Sequence, residues 1–202
     1  ELDLAPDVQA DRLARQAIEA FERSRRSEGI TYSRYPSAPQ QFIPPFSLLW
    51  VGMVHDYWTW RDDTEFVRRQ LGGTRTVLDW FTGHLRPDGL LGRLPWWNFL
   101  DWCDDFAEGV PPQDADGGSV PLSLQLALAL REAADLETAL GEPERAARHR
   151  QRADHEGAPD ALSLAACVAA HRAYVTARGR PEGVSAGALA IARLLVWAQR
   201  AA

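Results

Sequence analysis

The chain has 202 residues, a formal net charge of −6 and two cysteines, and this length suffices for one domain with a sizeable core. The negative charge argues against a nucleic-acid partner, because phosphate binding needs clustered Lys and Arg. Cys103 and Cys167 are far apart, so we expect free thiols and neither a disulfide framework nor a metal site.

Apolar residues are spread over the chain rather than gathered in one long run. Residues 187–198 are mostly apolar, but this stretch is too short to cross a bilayer and carries Arg193,. No signal-peptide pattern is present. The sequence therefore predicts a soluble, cytoplasmic protein with no membrane partner.

The first predicted helix covers residues 7–27, with Asp7 as its N-cap and apolar residues at helical spacing,. Glu28-Gly29 ends it, and residues 30–43, rich in Pro and Tyr, are typical of a connector. Two prolines then open a second helix, residues 44–60, in the first turn, where no amide donor is needed. This helix is apolar nearly all round, which predicts that it is buried.

A short acidic turn leads into a third helix that starts near Phe66 and ends near Gly83 or Leu85, and Gly72-Gly73 should weaken its middle,. Residues 86–118 then form a long connection rich in Pro and Gly. Long connections inside compact domains usually carry function.

Ser119 is the expected cap of a fourth helix, residues 120–140, and Glu142-Pro143-Glu144 starts a fifth that extends to Asp154,. After a break, residues 161–178 and 185–200 are predicted to form a last helical pair. All predicted elements are therefore helices, and we expect one all-α domain over residues 1–202.

Two of these helices begin alike. Pro45-Phe46-Ser47-Leu48-Leu49 aligns with Pro121-Leu122-Ser123-Leu124-Gln125, and each helix passes through a short acidic turn into a more charged one. A repeated hairpin of this kind suits an α/α toroid, in which inner helices are apolar on most sides and outer helices are half solvated.

The candidate site is the segment from Leu94 to Trp102, which holds three of the eight tryptophans beside an amide and a carboxylate. Aromatic rings can cover the apolar face of a sugar, while polar groups take its hydroxyls. The alternative is that these tryptophans only wedge a loop against helix ends. The candidate sugar-binding residues are Trp96, Trp97, Asn98, Asp101 and Trp102.

Several separated motifs resemble the catalytic domain of bacterial α-L-rhamnosidases. They occur in the right order between residues 13 and 150, whereas residues 151–202 form a helical tail without a clear match. The motifs are residues 43–58, Asp62-Asp63, residues 77–81, Asp88-Gly89-Leu90-Leu91-Gly92, residues 95–102 and residues 117–125.

This resemblance implies a toroid of six helical hairpins, an inverting hydrolysis of terminal α-L-rhamnose and no cofactor. It also implies that Asp101 and Trp102 contact the rhamnose ring, with Trp96 and Trp97 beside them. Asp56, on the second helix, is a further candidate that would face the centre of the toroid. Its alternative is a carboxylate paired with a nearby Arg or a loop amide.

Glycoside hydrolysis needs a carboxylic acid and a second carboxylate across the scissile bond. In the family these lie upstream and downstream of the matched part, so the catalytic residues of this chain are unknown. Acids of the long connection could replace them but are expected to be solvated. These loop acids are Asp104, Asp105, Glu108, Asp114 and Asp116.

About seven helices are predicted, where six hairpins need twelve, so we expect an incomplete toroid from a fragment or shortened form lacking the acid and base. The exposed apolar flank of this toroid would be covered either by a second copy of the chain, as a homodimer, or by the final helices. A monomeric mass in solution would exclude the homodimer. The alternative function is a non-catalytic helical module for carbohydrate binding or assembly.

Overall fold

The computed structural model of the chain describes residues 6–61, 63–102 and 106–156. This part contains five α-helices and no strand, which confirms the predicted all-α, toroid-like fold. The helices predicted at 161–178 and 185–200 and both cysteines lie outside the described residues. The helices are α1 (Pro6–Ser24), α2 (Pro44–Trp60), α3 (Thr64–Thr82), α4 (Val120–Ala139) and α5 (Pro143–Glu156), with one 3₁₀ turn at Ala107–Gly109.

Helices α2 and α4 are parallel neighbours. Near their starts, Nε2 of Gln125 donates a hydrogen bond to the carbonyl oxygen of Pro45 (3.1 Å). Ten residues further along each helix, Nε2 of His55 lies 3.9 Å from Oδ2 of Asp135. The two helices are thus in register, as expected for the inner helices of adjacent hairpins.

Helices α3 and α5 return along α2 and α4. Arg68 on α3 donates to the carbonyl oxygen of Leu140 at the end of α4 (3.1 Å), and Arg131 on α4 pairs with Asp154 on α5 (2.6 Å). Short turns join the helices of each hairpin, while the two longer connections lie at the opposite end. These long connections therefore meet where α2 and α4 begin.

Helix α3 runs unbroken through Gly72 and Gly73, although these glycines were expected to weaken it. Gly73 has a packing role, because an added Cβ would lie 2.7 Å from the Trp50 ring and closer still to the Glu22 carboxylate. The Trp50 indole is fully buried and donates to the carbonyl oxygen of Ile18 (3.1 Å). Helices α1, α2 and α3 therefore meet closely around Trp50.

The internal repeat extends further than the helix starts. After α1, the amide of Arg26 donates to the Ile30 carbonyl (2.9 Å), and its guanidinium binds the Glu28 carboxylate. After α3, the amide of Arg86 likewise donates to the Leu90 carbonyl (2.9 Å), and its guanidinium binds the Asp88 carboxylate. Each turn has a glycine at positive φ, Gly29 or Gly89. The sequences Arg-Ser-Glu-Gly-Ile and Arg-Pro-Asp-Gly-Leu thus build one turn twice.

The first turns of α2 and α4 each carry a buried serine. Its hydroxyl accepts a hydrogen bond from a backbone amide just after one of the repeated turns. Oγ of Ser47 accepts from the amide of Thr31 (3.0 Å), and Oγ of Ser123 accepts from the amide of Leu91 (2.9 Å). Ser119 is the N-cap of α4, as predicted, although its side chain makes no capping hydrogen bond. Instead, Oγ of Ser123 donates back to the Ser119 carbonyl (2.8 Å).

Replacing Ser123 by Ala should lower the free energy of unfolding by about 1–3 kcal/mol, because the buried amide of Leu91 loses its acceptor. Urea unfolding measures this change. Ser37→Ala is the control, since the Ser37 hydroxyl makes one exposed local bond to the Pro39 carbonyl, and it should change stability by less than about 0.5 kcal/mol. Equal effects of both substitutions would contradict the role assigned to Ser123.

Candidate functional site

The candidate site lies in the connection from α3 to α4, at the end of the hairpins where α2 and α4 begin. Its two successive tryptophans contribute to different clusters. The residue at the junction, Trp96, has a positive φ of 62°, a backbone conformation that is uncommon for a bulky side chain. The chain direction therefore changes between Trp96 and Trp97.

Trp96 packs against the other long connection. Its ring centroid lies 5.2 Å from that of Phe42 and 6.2 Å from that of Trp80, with the two indoles nearly parallel at 24°. The guanidinium of Arg26 lies 5.8 Å from the Trp96 ring centre. The ring is still 45% exposed, but its neighbours tie it to the connector after α1.

Trp97, Phe99 and Trp102 form a second cluster, called here the aromatic wall. The Phe99 ring centre lies 4.9 Å from that of Trp97 and 5.1 Å from that of Trp102, and the two indoles are 6.1 Å apart at an angle of 56°. Nε1 of Trp97 donates to the carbonyl oxygen of Glu108 (3.1 Å). Trp102 is 62% exposed, so the wall presents indole surface to solvent.

Asp101 and Asn98 are buried beside this wall. Oδ1 of Asp101 accepts from the backbone amide of Trp102 (2.8 Å). Nδ2 of Asn98 donates to the carbonyl of Leu94 (3.0 Å), and its Oδ1 has no hydrogen-bond partner. Asp101 thus binds the backbone at Trp102, whereas Asn98 binds the backbone at Leu94.

The predicted site residues are only partly brought together. Trp97, Asp101 and Trp102 are neighbours, Trp96 belongs to the other cluster, and Asp56 lies eleven residues beyond Pro45 on α2. At a rise of 1.5 Å per residue, that separation is about 16 Å along the helix. Asp56 is near His55, whose Nδ1 lies 3.9 Å from its carboxylate. A sugar-binding role for Asp56 stays a prediction.

Two acids of the long connection are bound by one arginine. Hydrogen bonds from the Arg86 guanidinium hold the pKa of Asp88 and of Asp114 below their usual range. Oδ1 of Asp114 also accepts from the amide of Gly118 (2.7 Å). A catalytic acid must be protonated near neutral pH, so neither carboxyl is suited to that role.

The described residues contain neither a metal-ligating cluster nor a membrane-spanning helix. Among these residues, no group of three or more His, Cys, Asp and Glu side chains could hold a metal ion. No helix there is long and apolar enough to cross a membrane.

Phe99 of the aromatic wall and its neighbour Gly109 were not among the residues predicted from the sequence. Phe99 is the central ring, and the backbone carbonyl of Gly109 accepts from the amide of Leu100 (2.8 Å). Phe99 lies between Trp97 and Trp102 in the sequence. This position is the one signal that could have identified it as part of the wall. Nothing local in the sequence indicates that Gly109 approaches it.

The fold is similar to parts of three solved rhamnosidases. A GH78 family rhamnosidase of Bacillus sp. GL1 matches 71% of this chain with a TM-score of 0.62 and 24% identity. A rhamnosidase from Klebsiella oxytoca with rhamnose bound matches 86% with a TM-score of 0.58 and 19% identity. An α-L-rhamnosidase from Dictyoglumus thermophilum matches 70% with a TM-score of 0.52 and 15% identity.

This chain spans 14%, 30% and 16% of those three proteins, respectively. The predicted resemblance to rhamnosidases is thus confirmed at the level of a shared fold over part of each protein. No protein-family model and no curated protein matches the sequence.

Proposed function

We propose that this chain carries part of the sugar-binding surface of an inverting glycoside hydrolase of the α-L-rhamnosidase type. The observation that carries the proposal is the aromatic wall, with exposed Trp102 beside the carboxylate of Asp101. An indole covers the apolar C–H face of a sugar, and a carboxylate oxygen accepts hydrogen bonds from its hydroxyls. The ligand class is a rhamnose-containing glycoside with a terminal α-L-rhamnose.

Turnover requires more than this wall. An inverting hydrolase places an acid and a base about 6.5–9.5 Å apart on either side of the scissile bond. The lowered pKa of Asp88 and of Asp114 makes both carboxyls unsuitable as the catalytic acid. We therefore propose that this chain binds rhamnose and does not hydrolyse rhamnosides efficiently by itself.

Titration with L-rhamnose should change the intrinsic tryptophan fluorescence, and Trp102→Ala should weaken binding by about tenfold, the factor that 1.4 kcal/mol of lost ring contact represents. Trp60→Ala is the matched control. Trp60 is even more exposed, at 76%, but it ends α2 at the opposite end of the hairpins. Its replacement should leave the affinity unchanged.

The same variants separate binding from catalysis when an aryl α-L-rhamnoside is the substrate. Binding without turnover is the expected result for the unmodified chain. Turnover that Asp101→Ala abolishes would overturn the proposal that the chain lacks efficient catalysis. A rhamnose affinity that Trp102→Ala and Trp60→Ala reduce equally would overturn the assignment of the wall.

A non-catalytic helical module is the second candidate, and the packing of Trp96 against Phe42 and Trp80 favours it. In this case the loop tryptophans join the two long connections and recognise no sugar. An absence of any fluorescence response to L-rhamnose, D-mannose and D-glucose would support the scaffold role. A homodimer that covers the open flank stays a prediction.

A further inference from the structure

The turn at residues 106–110 holds the aromatic wall through its backbone. The carbonyl of Glu108 accepts from the Trp97 indole (3.1 Å), and the carbonyl of Gly109 accepts from the amide of Leu100 (2.8 Å). The turn itself is closed by the amide of Gly109, which donates to the carbonyl of Phe106 (3.0 Å). Two successive carbonyls thus bind the chain on both sides of Phe99.

Gly109 meets the Phe99 ring directly. A Cβ added at this position would lie less than 3.0 Å from both Cδ2 and Cε2 of Phe99, a separation that real Cβ atoms essentially never show. The φ of Gly109 is also positive, at 76°, which favours glycine. Any side chain at this position would therefore displace Phe99 or the turn.

Phe99 passes such a displacement on to the tryptophans. Its ring packs against both Trp97 and Trp102, and its centre lies 6.1 Å from that of Phe46 on the first turn of α2. The ring therefore has little room to move away from Gly109 without moving an indole. Among the three rings of the wall, Phe99 has the shortest centre-to-centre distances to the others, 4.9 and 5.1 Å against 6.1 Å between the two indoles.

We propose that Gly109 is a positioning residue for the sugar-binding surface: its missing side chain lets Phe99 set the separation and angle of Trp97 and Trp102. The consequence for rhamnose affinity rests on the proposed function. The consequence for the geometry of the wall does not, because it follows from the contacts among these four residues alone.

Gly109→Ala in the full chain tests the proposal, with Gly141→Ala as the matched control. Gly141 has a similar positive φ of 84°, but an added Cβ there has nothing within 4 Å. Both substitutions thus carry the same backbone strain, and only Gly109→Ala disturbs Phe99. Gly109→Ala should weaken L-rhamnose binding by about tenfold and change the near-UV circular dichroism of the paired indoles, whereas Gly141→Ala should alter neither.

Phe99→Leu and the double variant Phe99→Leu/Gly109→Ala complete the test. If the added methyl acts through Phe99, the double variant should resemble Phe99→Leu alone in its near-UV spectrum and affinity, and its unfolding midpoint should be lower only by the backbone strain that Gly141→Ala measures. If Gly109→Ala does not fold, the double variant should fold, because the smaller side chain leaves room. A double variant whose effects on affinity and near-UV spectrum simply add, or one that stays unfolded, would overturn the proposal.

The two proposals fail in different ways. If the unmodified chain does not bind L-rhamnose, the proposed function fails, yet the near-UV spectra still report whether Gly109 positions the wall. If rhamnose binds and Gly109→Ala changes neither affinity nor spectrum, the positioning role fails and the proposed function stands. If Gly141→Ala has the same effect as Gly109→Ala, backbone strain explains the result and the positioning role is wrong.

Discussion

Replacing Arg75 by Met should lower the free energy of unfolding by roughly 3–5 kcal/mol, because it leaves a buried carboxylate without its cation. Glu137 on α4 is 1% exposed. Nε and one terminal nitrogen of Arg75 on α3 each donate to this carboxylate at 2.7 Å. Nε2 of His149 lies 4.0 Å away, but burial lowers the pKa of His149, so it is a poor replacement for the lost positive charge near pH 7.

Urea unfolding of Arg75→Met, Arg75→Met/Glu137→Leu and Arg69→Met measures this effect. The double variant should recover most of the loss, since it removes the unpaired charge as well as the pair. Arg69 pairs with Glu65 at 3.7 Å on the exposed face of α3, so Arg69→Met should cost less than about 1 kcal/mol. A double variant that is no more stable than Arg75→Met would contradict the explanation by unpaired charge.

Replacing Trp50 by Ala should cost about 3–5 kcal/mol, the range for deleting a large buried aromatic side chain. The ring is fully buried and its Cη2 faces Gly73 on α3, so the substitution leaves a cavity where three helices meet. It also removes the donor to the buried carbonyl of Ile18 on α1, which adds a lost hydrogen bond. We therefore expect α1 to be the helix most affected.

Urea unfolding followed by far-UV circular dichroism measures the expected loss of stability, with Trp60→Ala as the control at the exposed end of the same helix. Trp60→Ala should change stability by less than about 0.5 kcal/mol. Trp50→Phe keeps most of the volume and should fall between the two. A Trp50→Ala variant as stable as Trp60→Ala would show that the three-helix junction tolerates the loss of the ring.

The helix bounds were the most predictable part of the fold, because their signals are local. Helix α2 begins at Pro44 and ends at Trp60 as predicted, since the two prolines suit its first turn and the apolar residues need burial on most sides,. The repeated first turns of α2 and α4, with Ser47 and Ser123, were also visible in the sequence. The repeated turn at Arg26 and Arg86 was equally present in the sequence, but its significance depends on hydrogen bonds that only the folded chain shows.

The directions of the loop side chains could not be predicted in the same way. Trp96 and Trp97 are adjacent in the sequence, yet their rings belong to separate clusters, and Trp96 has a positive φ. Gly109 contacts a ring ten residues earlier in the chain. Asp56 was grouped with the tryptophans through a resemblance, and the length of α2 places it well away from Pro45.

By itself, the sequence determined the all-α fold class, the bounds of the five described helices to within about three residues, and the repeat of the hairpins, because periodicity, prolines and caps act over a few residues,. Only the tertiary structure decided which aromatic rings share a surface and which carboxylates are paired. Those outcomes depend on backbone angles within the loop and on contacts between distant segments, such as Arg86 with Asp114 and Gly109 with Phe99.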